Sequence, residues 1–222
     1  MYDIVFISYE EPNAEENYNR LKERFPLVKR VHGVNGIHNA HVAAAKKCFT
    51  KMFWVVDGDA FVTDNMLFDY VVDEYNLETV HVWRSINPVN NLIYGYGGVK
   101  LLPRKLTINM DTSTSDMTTS ISSKFKAVPF ISNITKFDTS PYETWKGAFR
   151  ECAKLSSRVI ARQKDEETQK RLDSWCTMKN GEFGQYAIQG AIAGKEFGES
   201  GNDISLINNF KWLKDKFNDN TQ

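Results

Sequence analysis

Along the chain, short runs of β-branched and aromatic residues alternate with stretches of helical period, as in an α/β fold. Residues 3–9 predict an opening strand that ends in a polar mouth, Ser8, Tyr9, Glu10, Glu11 and Pro12, before a helix over about 13–24. A short strand over 28–31 and a glycine-bearing loop lead to a helix reaching about Phe49. Phe53, Trp54, Val55 and Val56 predict a buried strand that runs straight into Asp57, Gly58 and Asp59. Next come a helix over 65–75, capped by Thr63 or Asp64, a strand over 79–84, and a strand pattern over 93–103 broken by Gly95, Gly97 and Gly98. Serine and threonine dominate 111–123 without hydrophobic periodicity, which predicts a mobile loop, and a strand follows over 127–137.

The second half reads as mainly helical. Ser140, Pro141 and Glu143 form a capping box with proline at the first helical position, which gives Glu143 a structural duty. That helix is predicted to bury Trp145, Phe149, Cys152, Val159 and Ile160 and to carry a basic row at a spacing of four, Lys146, Arg150, Lys154, Arg158 and Arg162. A helix over 183–194 places Gly190 and Gly194 four apart for close packing, Asp203 caps a short last helix, and Phe210, Trp212, Leu213 and Phe217 tie down the C-terminus.

A chain of 222 residues suffices for one sizeable α/β domain, so 1–222 is read as a single domain. Its 28 basic and 28 acidic residues cancel, so no global field draws it to nucleic acid or a membrane, and a polyanion would need a local patch. The first residues lack a basic leader, no apolar run approaches the ~20 residues of a membrane span, and Cys48, Cys152 and Cys176 are far apart. The expectation is a soluble cytoplasmic protein without disulfides or a thiolate metal site.

The chemistry concentrates at the end of the central strand. Two carboxylates there repel each other and resist desolvation, so Asp57 and Asp59 call for a compensating positive charge. Oxygen ligands suit Mg²⁺ or Mn²⁺, and Gly58 permits a sharp bend between them; the alternative is a turn cap and a solvated acid. Ser8 and Glu10 lie where an α/β sheet holds a base or ribose, or serve turn and capping duty. His38 and His41 share a helix face without a third zinc ligand, and His41 with a lysine suits a nucleotide diphosphate, against the alternative of an ordinary surface helix. Gly97 and Gly98 mark a close approach to the backbone, as by a sugar, or a bulge. Asp116 is the carboxylate of the predicted loop. The basic row suits a phosphate backbone, or is a solvated face with Asp165, Glu166 and Glu167 beyond it.

Strand, helix, strand, helix, a buried strand into Asp57-Gly58-Asp59 and then a glycine-rich strand together resemble the nucleotide-sugar domain of GT-A glycosyltransferases, chiefly over 1–100 and more loosely to about 150. The resemblance implies a mixed Rossmann-like sheet with flanking helices, a nucleotide-sugar half over 1–100 and an acceptor half over 101–222. It implies Ser8 and Glu10 at the nucleoside, Asp57 at the ribose or metal, Asp59 on Mn²⁺ or Mg²⁺, Gly97 and Gly98 at the donor sugar, and a UDP-sugar as donor. Asp138, at a strand end before a helix, resembles the family's base, with Asp116 second. Many members use a C-terminal histidine on the metal, and none follows His81 here. Size and runs such as Gly95-Tyr96-Gly97-Gly98 are similar to small glycosyltransferases of T-even-type bacteriophages, which implies glucose or arabinose transfer to 5-hydroxymethylcytosine in double-stranded DNA, with Lys146, Arg150, Lys154 and Arg158 on the DNA and a host-cytoplasmic location. A saccharide or protein acceptor, a nucleotidyltransferase, a silent nucleotide-sugar-binding module and a purely structural protein stand as alternatives.

Overall fold

The computed structural model describes all residues except Tyr96, Thr114, Ser115, 160–163 and Gln222. The chain divides into two compact units, one formed by Met1–Asn87 with Ile93–Lys136, the other by Pro88–Leu92 with Phe137–Gln222.

The first unit is an α/β sandwich. Its elements in order are β1 (Asp3–Ser8), α1 (Ala14–Arg24), β2 (Lys29–His32), α2 (Ile37–Lys46), β3 (Met52–Asp57), β4 (Ala60–Val62), a 3₁₀ turn (Glu74–Asn76), β5 (Val80–Ile86), β6 (Ile93–Tyr94), β7 (Val99–Pro103), α3 (Arg104–Ile108), α4 (Met117–Ile121) and β8 (Phe125–Thr135). The strands form one mixed sheet of order β2-β1-β3-β7-β5-β8-β4, with β6 beside β5. β1 pairs parallel with β2 and β3, whereas β7 is antiparallel to both β3 and β5. Strand alternation sorts the core into two layers. Met52, Trp54 and Val56 of β3 pack with Ala14 and Leu21 of α1, while Phe53 and Val55 pack with Ala44 and Ala45 of α2. α1 and α2 thus cover opposite faces.

Two expectations fail here for tertiary reasons. The helix predicted over 65–75 is an irregular segment ending in the 3₁₀ turn. Met66, Phe68 and Val72 are buried in the α1-side core, Phe68 adopts φ 54°, and Arg24 draws the carbonyls of Thr63, Asp64 and Met66 away from helical bonding. The loop predicted over 111–123 contains α4, whose Met117 and Ile121 join the α2-side core and whose N-terminus Asp116 caps; Thr114 and Ser115 lie outside the described residues.

The second unit contains α5 (Pro141–Ser156), α6 (Asp165–Thr177), α7 (Gly184–Glu199), a 3₁₀ turn (Ile204–Asn208) and α8 (Phe210–Thr221). Ser140 caps α5 as predicted, its Oγ accepting the Glu143 N–H. A Cβ on Gly190 or Gly194 would strike the backbone carbonyls of Trp145 or Phe149, so α7 lies directly on α5. Trp145, Phe149, Phe197, Trp212, Leu213 and Phe217 gather into its core, which accounts for the C-terminal aromatics. α5 ends at Ser156, where the sequence pattern ran on through Arg162; Arg158 is in the left-handed region at φ 60°, and Ile160 and Arg162 lie outside the described residues. The cysteines are free, and among the described residues no helix is long and apolar enough to cross a membrane.

Candidate functional site

β1 leads into α1 on one face of the sheet, and β2 leads through α2 on the other face back to β3, which is β1's second neighbour. Adjacent parallel strands whose connections part to opposite faces leave a crevice at their carboxyl ends, the usual ligand position of an α/β sheet. Ile7 is in register with Asp57, so β1 and β3 end side by side and the Asp57-Gly58-Asp59 turn lies at that crevice. The turn is pinned from three directions. Asp57 N–H donates to Gly98 O at 2.9 Å, Asn17 Nδ2 of α1 donates to Gly58 O at 2.9 Å, and Lys136 N–H donates to Asp59 O at 2.7 Å.

The counter-charge of Asp57 comes from inside the chain. Lys100 sits on β7 opposite Val55 of β3, and its Nζ donates to Asp57 Oδ1 at 2.8 Å and Oδ2 at 2.7 Å. A further bond goes to Gly97 O, and only 3% of the Lys100 side chain is exposed, against 31% for Asp57. Gly97 has φ 79°, a conformation that favours glycine, and a Cβ on Gly98 would fall 2.6 Å from Asn133 Nδ2. The glycine turn is therefore laid against Asp57 and locked there by Lys100. A lone lysine between Val99 and Leu101 in an apolar strand is a sequence signal for a buried ion pair, absent from the candidates named above.

Among the described residues, Asp59 has no such neutralising partner. Burial, then the Asp57 and Glu11 charges, push its carboxyl up to about 7, opposed by Lys100 and its own backbone N–H. Glu11, not Glu10, is the acid that β1 delivers to the turn. Its Oε2 accepts from Tyr9 N–H at 2.7 Å and lies 2.6 Å from where a Cβ on Gly58 would stand, while Glu10 is exposed. Sequence spacing alone gave no reason to prefer the second glutamate.

The remaining candidates are placed as follows. Ser8 is buried beside the turn, its hydroxyl bonded to His32 Nδ1 at 3.0 Å and accepting from Arg30 Nε at 3.3 Å. His41 is 1% exposed; its Nδ1–H donates to Ile37 O, and burial, with the Lys100 charge behind it, lowers its pKa to about 3. A neutral imidazole with its N–H spent on a carbonyl offers only an acceptor at Nε2, so His41 is not a donor to a phosphate. His38 meets Ser120 Oγ at 3.1 Å. Asp116 Oδ2 accepts from Thr118 Oγ1 and from the N–H and Oγ1 of Thr119, all within 2.8 Å. Asp138 belongs to the second unit, where a Cβ on Gly181 would lie 3.7 Å from its Oδ2.

The described members of the basic row, in the second unit, are engaged within the chain: Lys146 pairs with Glu143, Lys154 with Glu151 and Arg158 with Asp165, and Arg150 donates to Ile207 O and Asn208 Oδ1. The crevice thus gathers Ser8, Asp57, Asp59, Gly97 and Gly98 from the sequence candidates and adds Glu11 and Lys100.

For a divalent cation, the donor set is of the right kind, carboxylate oxygens, and Asp59 is an anion short of counter-charge. Asp57 already holds an ammonium on both oxygens. Among the described residues no group of three or more His, Cys, Asp or Glu side chains is arranged to hold a metal ion. Mg²⁺-type sites commonly use one or two carboxylates and take the rest of their ligands from substrate phosphates and water, which is the case Asp59 fits.

No protein-family model and no curated protein sequence matches the chain. Two of the solved structures similar to it are the following. One is HddC from Yersinia pseudotuberculosis, 14% identical over 59% of this chain and 90% of that one, with a TM-score of 0.35. The other is the mannosyltransferase PcManGT from Pyrobaculum calidifontis in complex with GDP-Man and Mn²⁺, 10% identical over 100% of this chain and 88% of that one, with a TM-score of 0.46.

Proposed function

We propose that the chain is a glycosyltransferase of the GT-A type, moving a sugar from a nucleoside diphosphate sugar to an acceptor hydroxyl. The observation that carries this reading is the pinned Asp57-Gly58-Asp59 turn at the strand switch point, with the Gly97-Gly98 turn against it. A pocket for such a donor needs acceptors for hydroxyls and a backbone bare enough for a sugar to approach. Asp57 supplies the acceptors and Gly97, which is partly open, the bare backbone, while Gly98 is buried against Asn133. Asp59 is the residue that would hold Mn²⁺ or Mg²⁺, and the cation's chemistry there is to neutralise the charge of the leaving diphosphate. Holding the turn by three backbone and side-chain bonds spares the site reorganisation when that charge develops.

For an inverting reaction, the reading assigns deprotonation of the acceptor hydroxyl to Asp138, with Asp116, already occupied as a helix cap, second. The donor it takes is a UDP-sugar of glucose or arabinose. A hydroxymethylcytosine acceptor draws no support from Lys146, Arg150, Lys154 and Arg158, which are engaged by their own chain.

The deciding experiment is donor turnover. The protein is incubated with a panel of nucleotide sugars and Mn²⁺, and released nucleoside diphosphate is assayed with and without hydroxymethylated DNA. Metal-dependent release supports the reading and names the donor, and stimulation by DNA identifies the acceptor. Release that DNA does not stimulate moves the acceptor to a saccharide or protein. Donor binding without release from any donor overturns the enzyme in favour of a binding module.

A further inference from the structure

We propose that the amino-terminal edge of β1, β2 and β3, the end away from the Asp57-Gly58-Asp59 turn, docks on an anionic lipid bilayer, with Leu27 and Phe49 entering the interface and the lysines beside them on the headgroup phosphates. The proposal rests on the first unit alone and holds whether or not the chain transfers a sugar.

Leu27 and Phe49 stand just before β2 and β3, the two neighbours of β1, and are 92% and 88% exposed. A single exposed apolar side chain is ordinary, but Phe49 is held out by a loop fixed from both sides. Its N–H and that of Thr50 donate to Asp3 Oδ2 at 2.7 and 3.0 Å, and Lys29 Nζ donates to Lys47 O at 2.9 Å. The same ammonium pairs with Asp3 Oδ1 and lies 4.7 Å from the centre of the Phe49 ring. Cys48, next to Phe49, is fully buried. The ring is therefore kept in water at a set place, where only a partner can cover it.

Charge says which partner. Lys46, Lys47, Lys51 and Lys105 are exposed at this corner, and among the described residues none of them is in an ion pair. Lys105 belongs to it because Arg104 N–H donates to Lys51 O at 2.9 Å and Arg104 Nε to Ala45 O at 3.0 Å. The three segments that meet here, 25–31, 42–56 and 99–110, contain no acidic residue. Asp3 is spent on Lys29 and the loop, and Glu23 in the last turn of α1 has Lys22 beside it. A chain without net charge thus gathers a local positive field at one end of its sheet, which is what a polyanionic surface requires.

Two apolar tips with lysines beside them match the depth profile of a bilayer, where apolar side chains reach the acyl boundary and ammonium groups stay at the phosphates. A second copy fits less well, because a twofold contact through this corner would set the lysines against themselves. A single-stranded polynucleotide stacks its bases on aromatic faces, and here Lys29 already covers one face of Phe49 while Leu27 has none. Docking by this edge leaves the crevice, at the other ends of the same strands, open to water.

The test is flotation of the full chain with vesicles of phosphatidylglycerol and phosphatidylcholine, against vesicles of phosphatidylcholine alone. The anionic vesicles should bind at least about tenfold more tightly, and added salt should weaken that binding. Lys47→Gln/Lys51→Gln should weaken it about 25-fold, at about fivefold for each lysine at an anionic surface. Phe49→Ser and Leu27→Ser should each weaken it about tenfold, the effect of a side chain only partly withdrawn from water. Both side chains are exposed, so circular dichroism should show the fold retained. Phe130→Ser, at an exposed apolar position on β8, should stay within about twofold of wild type. Absence of binding to anionic vesicles at low salt, or binding that Phe49→Ser and Leu27→Ser leave intact, overturns the proposal. So does single-stranded DNA binding without vesicle binding, lost in Phe49→Ser, which assigns the corner to nucleic acid. A dimer in sedimentation velocity that Phe49→Ser dissolves, again without vesicle binding, overturns it in favour of a second copy.

Discussion

At the start of the β1–β3 pair, Asp3 lies in register with Phe53; at the finish, Ile7 lies in register with Asp57, one turn before Asp59. Both ends carry a partly buried aspartate, and their surroundings pull in opposite directions. Burial alone would raise Asp3, but Lys29 Nζ, the N–H groups of Phe49 and Thr50 and the Thr50 hydroxyl all donate to its carboxylate and bring it down to about 2. Burial also raises Asp59, and there the neighbours reinforce it, since Asp57 and Glu11 are anions, and the carboxyl reaches about 7. The amino-terminal edge of the sheet spends its donors on Asp3, and the carboxyl-terminal edge spends its lysine on Asp57 and leaves Asp59 without one. A charge that is satisfied by its own chain stabilises the fold; one left short of donors is available to a ligand.

Asp59→Asn is the strongest way to break this contrast. Loss of the single anion assigned to the cation should lower metal-dependent donor release by about 1,000-fold, of the order seen when one group facing a developing charge is removed. Circular dichroism should show the fold retained, and release near the wild-type rate would refute the role of Asp59. The same variant carries a stability prediction of opposite sign. Because the folded carboxyl titrates at about 7 and an unfolded aspartate near 3.8, the native state holds its proton more tightly, and wild-type stability falls as pH rises from about 4 to 7 and is level above. In metal-free buffer, Asp59→Asn should escape that loss and exceed wild type by up to about 4 kcal/mol at pH 8, with a smaller excess at pH 5. Urea titrations at the two pH values measure it; an excess that does not grow with pH would remove the contrast with Asp3.

How much of this edge was legible in the sequence follows from the range of the forces involved. The strand into Asp57-Gly58-Asp59 was legible because four consecutive apolar residues before two acids is a local pattern, and so was the Ser140 cap, which is completed within three residues. The need for a positive charge at Asp57 was legible as well, but its source was not. Lys100 is 43 residues away in sequence and reaches Asp57 only because β7 runs antiparallel to β3, a pairing no local periodicity specifies. The same limit explains the 65–75 segment, where helical spacing of apolar residues lost to burial against Trp54 and to Arg24 on its carbonyls. By residue type alone His41 suits either a phosphate or an ordinary surface helix. Its tautomer, set by a carbonyl one helical turn back, removes the donor that a phosphate needs.

At the other end of the pair, Asp3→Asn should cost about 2 kcal/mol at pH 7, the difference between a carboxyl at about 2 and its ordinary 3.8. The sign is that of a depressed acid. The stabilisation is present above pH 4 and is lost as pH falls through about 2, so the variant and wild type should converge in acid. Wild-type and variant melting curves at pH 7 and pH 2.5 give the comparison, and a gap of equal size at both would mean that Asp3 acts through packing rather than charge.

The smallest change is the most selective. Gly58→Ala places a Cβ 2.6 Å from Glu11 Oε2 and 2.8 Å from its Cδ, while the backbone at Gly58 needs no left-handed conformation. The side-chain end of Glu11 is what must give, at the expense of its bond from Tyr9 N–H, and the strain should cost about 1 kcal/mol. Moving Glu11 away removes one of the two anions that raise Asp59, so the pH dependence attributed to Asp59 should shift to lower pH while the response of Asp3 stays where it was. Glu11→Gln removes the same charge without the added methyl group and should produce the same shift without the strain. If both variants leave the titration of Asp59 in place, burial and Asp57 alone account for it, and Glu11 is only a prop for the turn.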